Sequence, residues 1–396
     1  MKESGIFYLG GRYLRRQPAK TTLLVAALAV ALFLPVGIML FVSRAETHLR
    51  SRAATTPLLL GAPGSALELV FNGLYFSKPE VAPLTQRRVH EISADGLARG
   101  IPILARFRAG SDPIVGTSLD YFRFRGLEIR EGRQLARLGE CVVGARVARE
   151  RGLHPGDRLV SAPEAVFDLA GVYPLKMPVV GILDATGGPD DAAVFVDVKT
   201  AWVIAGLAHG HQDAAKAEES LVLGRDDAGA VELNASVVEY TEITPENVST
   251  FHFHGDPEDF PLSAAIVLPA GEKARTLLRG RYQDAGRDDG AQLVEPAAVM
   301  DDLFATVFQV QRIVVAALVL VAVAMGVIAA LVFLLSNRLR AREFESLRNI
   351  GADPSTIRAL VLFEGGAVLA MSLAVAAILT AMLWLAAPAL IRHLTG

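Results

Sequence analysis

Four of the eight histidines in the chain fall in two His-x-His pairs, His209-Gly210-His211 and His252-Phe253-His254. Alternate side chains on a strand share a face. In Phe251-His252-Phe253-His254 both phenylalanines would therefore turn inward and both imidazoles outward. Neutral imidazole is a common ligand for zinc and copper, and carboxylates complete such sets. Asp256 follows the second pair closely, with Asp213, Glu258 and Asp259 in the same region. The pattern sets the expectation of a transition-metal site of zinc type built from His209, His211, His252, His254 and Asp256; the alternative is two unrelated solvent loops. His48, His90, His154 and His393 have no such company.

Other chemistry finds little support. There is no His-Glu-x-x-His run, no nucleophile elbow and no paired-carboxylate motif, so a hydrolase reading has nothing to rest on. The G-x-x-x-x-G-K-[ST] loop that cradles nucleotide phosphates is also missing, so no catalytic residue and no intrinsic cofactor is expected. The single cysteine, Cys141, excludes an internal disulfide framework. Its apolar setting, Cys141-Val142-Val143-Gly144, reads as a buried structural thiol.

The elements that carry these residues follow from composition. Hydrophobic residues make up 52% of the chain and the mean hydropathy is +0.37. Three windows hold no charged residue: Thr21 to Ser43, Ile313 to Ser336 and Gly365 to Ile391. Each exceeds the roughly 20 apolar residues that cross a bilayer as a helix. The first is too long for a signal-peptide core and is followed directly by Arg44-Ala45-Glu46, so it reads as a retained anchor. Lys2, Arg12, Arg15, Arg16 and Lys20 precede it, and Arg338, Arg340, Arg342, Arg348 and Arg358 lie between the second and third windows. Basic flanks stay on the cytoplasmic side. That gives a cytoplasmic segment 1–20, spans at 21–43, 313–336 and 357–391, a cytoplasmic connector at 337–356, and an external tail at 392–396. Residues 44–312 then form a large external domain, and the protein is expected in the inner membrane with that domain in the periplasm.

Within it, segments 44–131 and 261–295 alternate strand and helix, and 132–260 is β-rich. Pro57 to Leu60, Ile101 to Phe107, Ile114 to Ser118, Val179 to Leu183, Ala193 to Val198, Ala264 to Leu268 and Gln292 to Val294 read as strands. Pro83 to Leu97, Val142 to Leu153, Thr200 to Ala208 and Gly271 to Tyr282 read as helices, and the polar tract Asp213 to Glu219 as a loop or helix tip. Glu295-Pro296 opens a helical pattern that meets no breaker before the second span, so residues 296–312 would stand as a stalk.

In the connector, Leu339, Phe344, Leu347 and Ile350 fall on one broad helix side, with Arg338, Arg342, Glu345 and Arg348 elsewhere. Gly351 is a C-terminal cap, and Asp353-Pro354 restarts a helix. A capped amphipathic helix between two spans suits docking against a cytoplasmic partner. The spans hold no ionisable residue near their middles, and Glu364 near the cytoplasmic end of the third reads as a brace for the connector.

The run Arg342-Glu343 … Leu347-Arg348-Asn349-Ile350-Gly351-Ala352 … Ile357 … Glu364-Gly365 resembles the connector of the MacB/LolC/FtsX-like family of ABC transporter permeases. Val143-Gly144 … Gly156-Asp157 and Val179-Val180-Gly181-Ile182-Leu183 are similar to that family's external domain. The resemblance implies an α-helical membrane protein with a large α+β external domain, in which an α/β porter-like module is split by a β-rich sabre-like insertion above a long stalk helix. It implies mechanotransmission: a separate ABC ATPase binds ATP, docks on Leu339, Arg342, Glu343, Phe344, Leu347, Arg348, Ile350, Gly351 and Glu364, and moves the external domain of a permease homodimer. Further implied partners are a periplasmic accessory or substrate-binding protein and membrane lipid, with no nucleic acid. Family members normally have four spans, and the chain beyond Glu364 has room for one. The alternatives are a lipoprotein-releasing or cell-division-type permease without metal, or a membrane-anchored periplasmic sensor.

Overall fold

The computed structural model describes residues 3–77, 80–162, 174–210, 222–225, 231–233, 241–283 and 290–395. Among the described residues, three helices are long and apolar enough to cross a membrane: Pro18–Ala54, Pro296–Leu339 and Pro354–Ile391. The second has 44 residues and is about 66 Å long at 1.5 Å per residue. A further helix, Glu3–Arg16, precedes the first. The chain divides into two units, one of Met1–His48 with Asp302–Ile391 and one built on Leu49–Asp301; both divisions fall inside long helices.

In the first unit, helix Glu3–Arg16 packs on the third long helix. A Cβ on Gly10 would lie 2.4 Å from the Phe363 ring, and Phe7 meets the same ring edge-on at 5.1 Å. The connector is a separate helix, Ala341–Asn349.

The second unit is built on a mixed sheet. Its order is Gln292–Val294, Leu58–Gly61, Ala264–Pro269, Ala98–Leu104, Asp112–Thr117, Val194–Asp197, Cys141–Val143, Lys176–Leu183 and Ile129–Gly132. Each of the first five runs antiparallel to its neighbour, with Leu59 opposite Ile266 and Ile266 opposite Ile101. Strand Val194–Asp197 then pairs parallel to Asp112–Thr117, with Phe195 opposite Val115, and antiparallel to Cys141–Val143. Leu58, Leu59 and Leu60 are all buried, as expected of a strand covered on both faces.

Hydrogen bonding runs without a break from the strands of segments 44–131 and 261–295 into strands of the β-rich segment 132–260. The join is the parallel pairing at Val194–Asp197, a long-range contact that local periodicity does not encode. The apolar stretch expected as a helix from Val142 divides into strand Cys141–Val143 and helix Ala145–Arg151, separated by Gly144. A short apolar run fits either element until its neighbours are known. Cys141 is fully buried, and its thiol pKa is pushed up by burial and by neighbouring Glu140.

Candidate functional site

The connector is the first candidate. Leu339 and Ile350 are about as exposed as side chains become, at 79% and 82%. Phe344 and Leu347 are half-buried, and Arg342, Glu343 and Arg348 face solvent. The helix ends as its sequence demands. Gly351 takes φ +94°, its N–H donates to the Arg348 carbonyl at 2.9 Å, and the Ala352 N–H donates to Leu347 at 3.0 Å, a left-handed cap of Schellman type. The Asp353 carbonyl then accepts from Thr356 and Ile357 as the next helix begins.

A buried ion pair fixes this segment. Arg340 Nη1 donates to both Glu364 carboxylate oxygens, at 2.9 and 3.1 Å, with side chains only 12% and 1% exposed. Its guanidinium lies 3.6 Å from the centre of the Tyr13 ring and 5.0 Å from that of Phe344, and its Nε donates to Glu343 at 3.0 Å. One arginine thus ties the N-terminal helix, the connector and the third long helix together. The charge of Glu364 beside an apolar run is visible in the sequence; its pairing with Arg340 is not, nor is the Tyr13 ring on that arginine, because these contacts join segments far apart in the chain. The only hint was the apolar set Phe7, Gly10 and Tyr13 at helical spacing among the basic residues.

A second node sits at the end of the first long helix. Arg52, in its last turn, donates from Nη1 to Asp190 Oδ2 at 2.6 Å, and from Nη2 to Asp190 Oδ1 at 2.9 Å and to Tyr121 Oη at 2.6 Å. Its Nε donates to the Leu74 carbonyl, and Tyr121 donates to Asp190 at 2.6 Å. Both ionic side chains are buried. Burial alone would push the Asp190 carboxyl up; the guanidinium and the tyrosine hydroxyl overcome it and hold the pKa below the usual carboxylate range. Gly144 makes room for this arrangement, since a Cβ there would lie 2.2 Å from the Asp190 carbonyl oxygen. Aromatic rings close the node: Phe195 packs on Tyr121, Phe122 and Phe76 at 5.5, 5.4 and 6.2 Å.

The histidines form the third candidate. Strand Ala208–His209 pairs antiparallel with His252–Phe253, placing His209 directly opposite His252 and Ala208 opposite Phe253. The His254 N–H donates to the Leu207 carbonyl at 2.9 Å. His209, His252 and His254 converge, each offering a ring nitrogen within 4.8 Å of the others. Phe251 and Phe253 turn the other way, onto the core, as alternation requires. His211 lies outside the described residues, as does the tract Asp213 to Glu219. Asp256 is engaged elsewhere: one carboxylate oxygen accepts from the Glu258 N–H at 3.0 Å and the other from Arg87 at 3.2 Å.

Comparison with known proteins identifies the family. The model of the MacB-like periplasmic core domain matches residues 21–240. Among solved structures, the periplasmic region of MacB from Actinobacillus actinomycetemcomitans is 9% identical, with 63% of this chain and 92% of that one covered and a TM-score of 0.35. The extracellular domain of the noncanonic ABC-type transporter YknZ from Gram-positive bacteria is 11% identical, covering 60% and 98% with a TM-score of 0.32. No curated protein matches. The family match spans more than half of the chain: it belongs to the MacB-like family of ABC transporter permeases, with a MacB-like periplasmic core domain and three helices suited to a membrane.

Proposed function

We propose that this chain is the permease subunit of a mechanotransmission ABC system in the inner membrane. A separate ATPase would bind and hydrolyse ATP, load the connector, and shift the periplasmic domain so that it acts on a periplasmic or outer-leaflet substrate. The observation that carries the reading is the connector itself. The helix Ala341–Asn349 carries basic Arg342 and Arg348, is flanked by the exposed Leu339 and Ile350, and is clamped at its base by Arg340 and Glu364. A clamped helix passes a push to its neighbours, whereas a loosely tethered one would absorb it.

The far end of the path has a matching feature. The first long helix runs unbroken from Pro18 to Ala54, and Arg52 in its last turn is locked to Asp190 and Tyr121. Exposed Arg50 reaches Asp301 at 2.5 Å, joining that turn to the start of the helix Pro296–Leu339. Working as a homodimer and with a periplasmic accessory protein belongs to this proposal. The test is affinity isolation of the full-length chain from its native membranes. An ABC ATPase subunit recovered in a stable ratio is the expected result; repeated recovery without any ATPase would remove the reading.

A further inference from the structure

We propose that His209, His252 and His254 form a binding site for a borderline divalent transition metal of zinc type. The ring centroids make a nearly equilateral triangle, 5.0 Å from His209 to His252, 4.6 Å from His209 to His254 and 4.8 Å from His252 to His254. His209 Nε2 and His254 Nε2 are 3.4 Å apart. Two nitrogens bound tetrahedrally to one ion at about 2.0–2.1 Å stand roughly 3.3–3.4 Å from each other, so this pair already has the spacing of ligands.

The third imidazole brings a ring nitrogen within 4.8 Å of theirs. His252 Nδ1 lies 3.1 Å from the Thr250 carbonyl oxygen. A carbonyl can only accept, so Nδ1 carries a proton, and in the neutral ring Nε2 is the nitrogen with the lone pair. A backbone carbonyl holding the far nitrogen of a histidine is the usual outer shell of a metal ligand, where it fixes the tautomer and raises basicity.

The scaffold is anchored before any ion arrives. The strand pairing sets His209 opposite His252 and puts His254 on the same face. Behind it Phe253 packs on Phe260 at 5.9 Å, and Phe260 on Trp202 at 5.1 Å. Three convergent imidazoles suit zinc, nickel or copper, whereas magnesium and calcium take oxygen ligands. With three protein ligands, a tetrahedral ion keeps its fourth position for water. The site does not depend on the permease reading, because it stands on the two strands alone.

The experiment uses the full-length chain in detergent, isolated through a tag without histidine. Calorimetric titration with zinc chloride should show one ion per chain. Cobalt(II) should gain the visible absorption of tetrahedral coordination, and magnesium and calcium should give no heat. The His252→Ala, His254→Ala double variant should bind zinc at least about tenfold more weakly, in line with loss of ligands from a three-histidine site. Its melting temperature without metal should match the wild type, while zinc should raise that of the wild type alone. His254→Ala, at an exposed position, guards against a folding defect in the double variant and should also weaken zinc binding. Absence of zinc binding by the wild type, or equal binding by a folded variant, would overturn the proposal and leave a hydrogen-bonded imidazole cluster.

Discussion

At Arg52 the burial of a guanidinium in the last turn of a long helix is tolerated because every direction is answered: Asp190 takes two bonds, Tyr121 one, and the Leu74 carbonyl one. Removing one partner of a buried pair leaves the other charge uncompensated and costs about 3–5 kcal/mol. Asp190→Asn should destabilise the protein by that order, measured by denaturant unfolding at neutral pH. The sign of the pH dependence follows from the lowered carboxyl pKa. The contribution is complete above the unfolded value of about 3.9 and is lost as pH falls through the lower folded value. The gap between wild type and Asp190→Asn should therefore close in acid; a gap that stays constant down to the acid transition would contradict it. No sequence pattern pointed to this node, since Arg52 and Asp190 are 138 positions apart. The histidine face was more legible, because alternation at Phe251-His252-Phe253-His254 is a local property; that His209 sits across from His252 needed the strand pairing.

Among the elements, the connector shows how one arginine can make two unequal ion pairs. Its bond to Glu364 is buried, and its bond to Glu343 reaches an exposed carboxylate. Exposed pairs contribute about 0–1 kcal/mol, and broken buried ones cost several times that. Thermal melting in detergent should place Glu364→Ala well below wild type and Glu343→Ala close to it, and equal effects would mean that Arg340 is not the clamp. The long helices could be read directly from their uncharged runs, and the connector's end from Gly351 and Asp353-Pro354. The sheet was harder. Individual strands such as Val179 to Leu183 carry local signatures, but their order does not, so the join of Val194–Asp197 to Asp112–Thr117 emerges only in three dimensions. The helix Glu3–Arg16 is obscured in the sequence because basic residues interrupt the apolar face that meets Phe363.

For the whole molecule, Cys141 offers a convenience. Its buried thiol, with a raised pKa, should resist maleimide, so new cysteines report alone. In intact cells with a permeabilised outer membrane, Lys273→Cys should react with an impermeant maleimide and Glu345→Cys only after the inner membrane is opened. Labelling of both would overturn the orientation drawn from the basic flanks. If force enters through the connector, ATP turnover depends on the connector's apolar side. The permease and the ATPase isolated with it should be reconstituted in lipid, and turnover compared between wild type and Leu347→Asp. A carboxylate in an apolar docking contact loses hydration that nothing replaces. The variant should insert and melt as the wild type does while the permease-dependent change in ATP turnover falls at least about tenfold, the effect of roughly 1.4 kcal/mol. Unchanged turnover with a correctly inserted Leu347→Asp would mean that force does not enter through the connector.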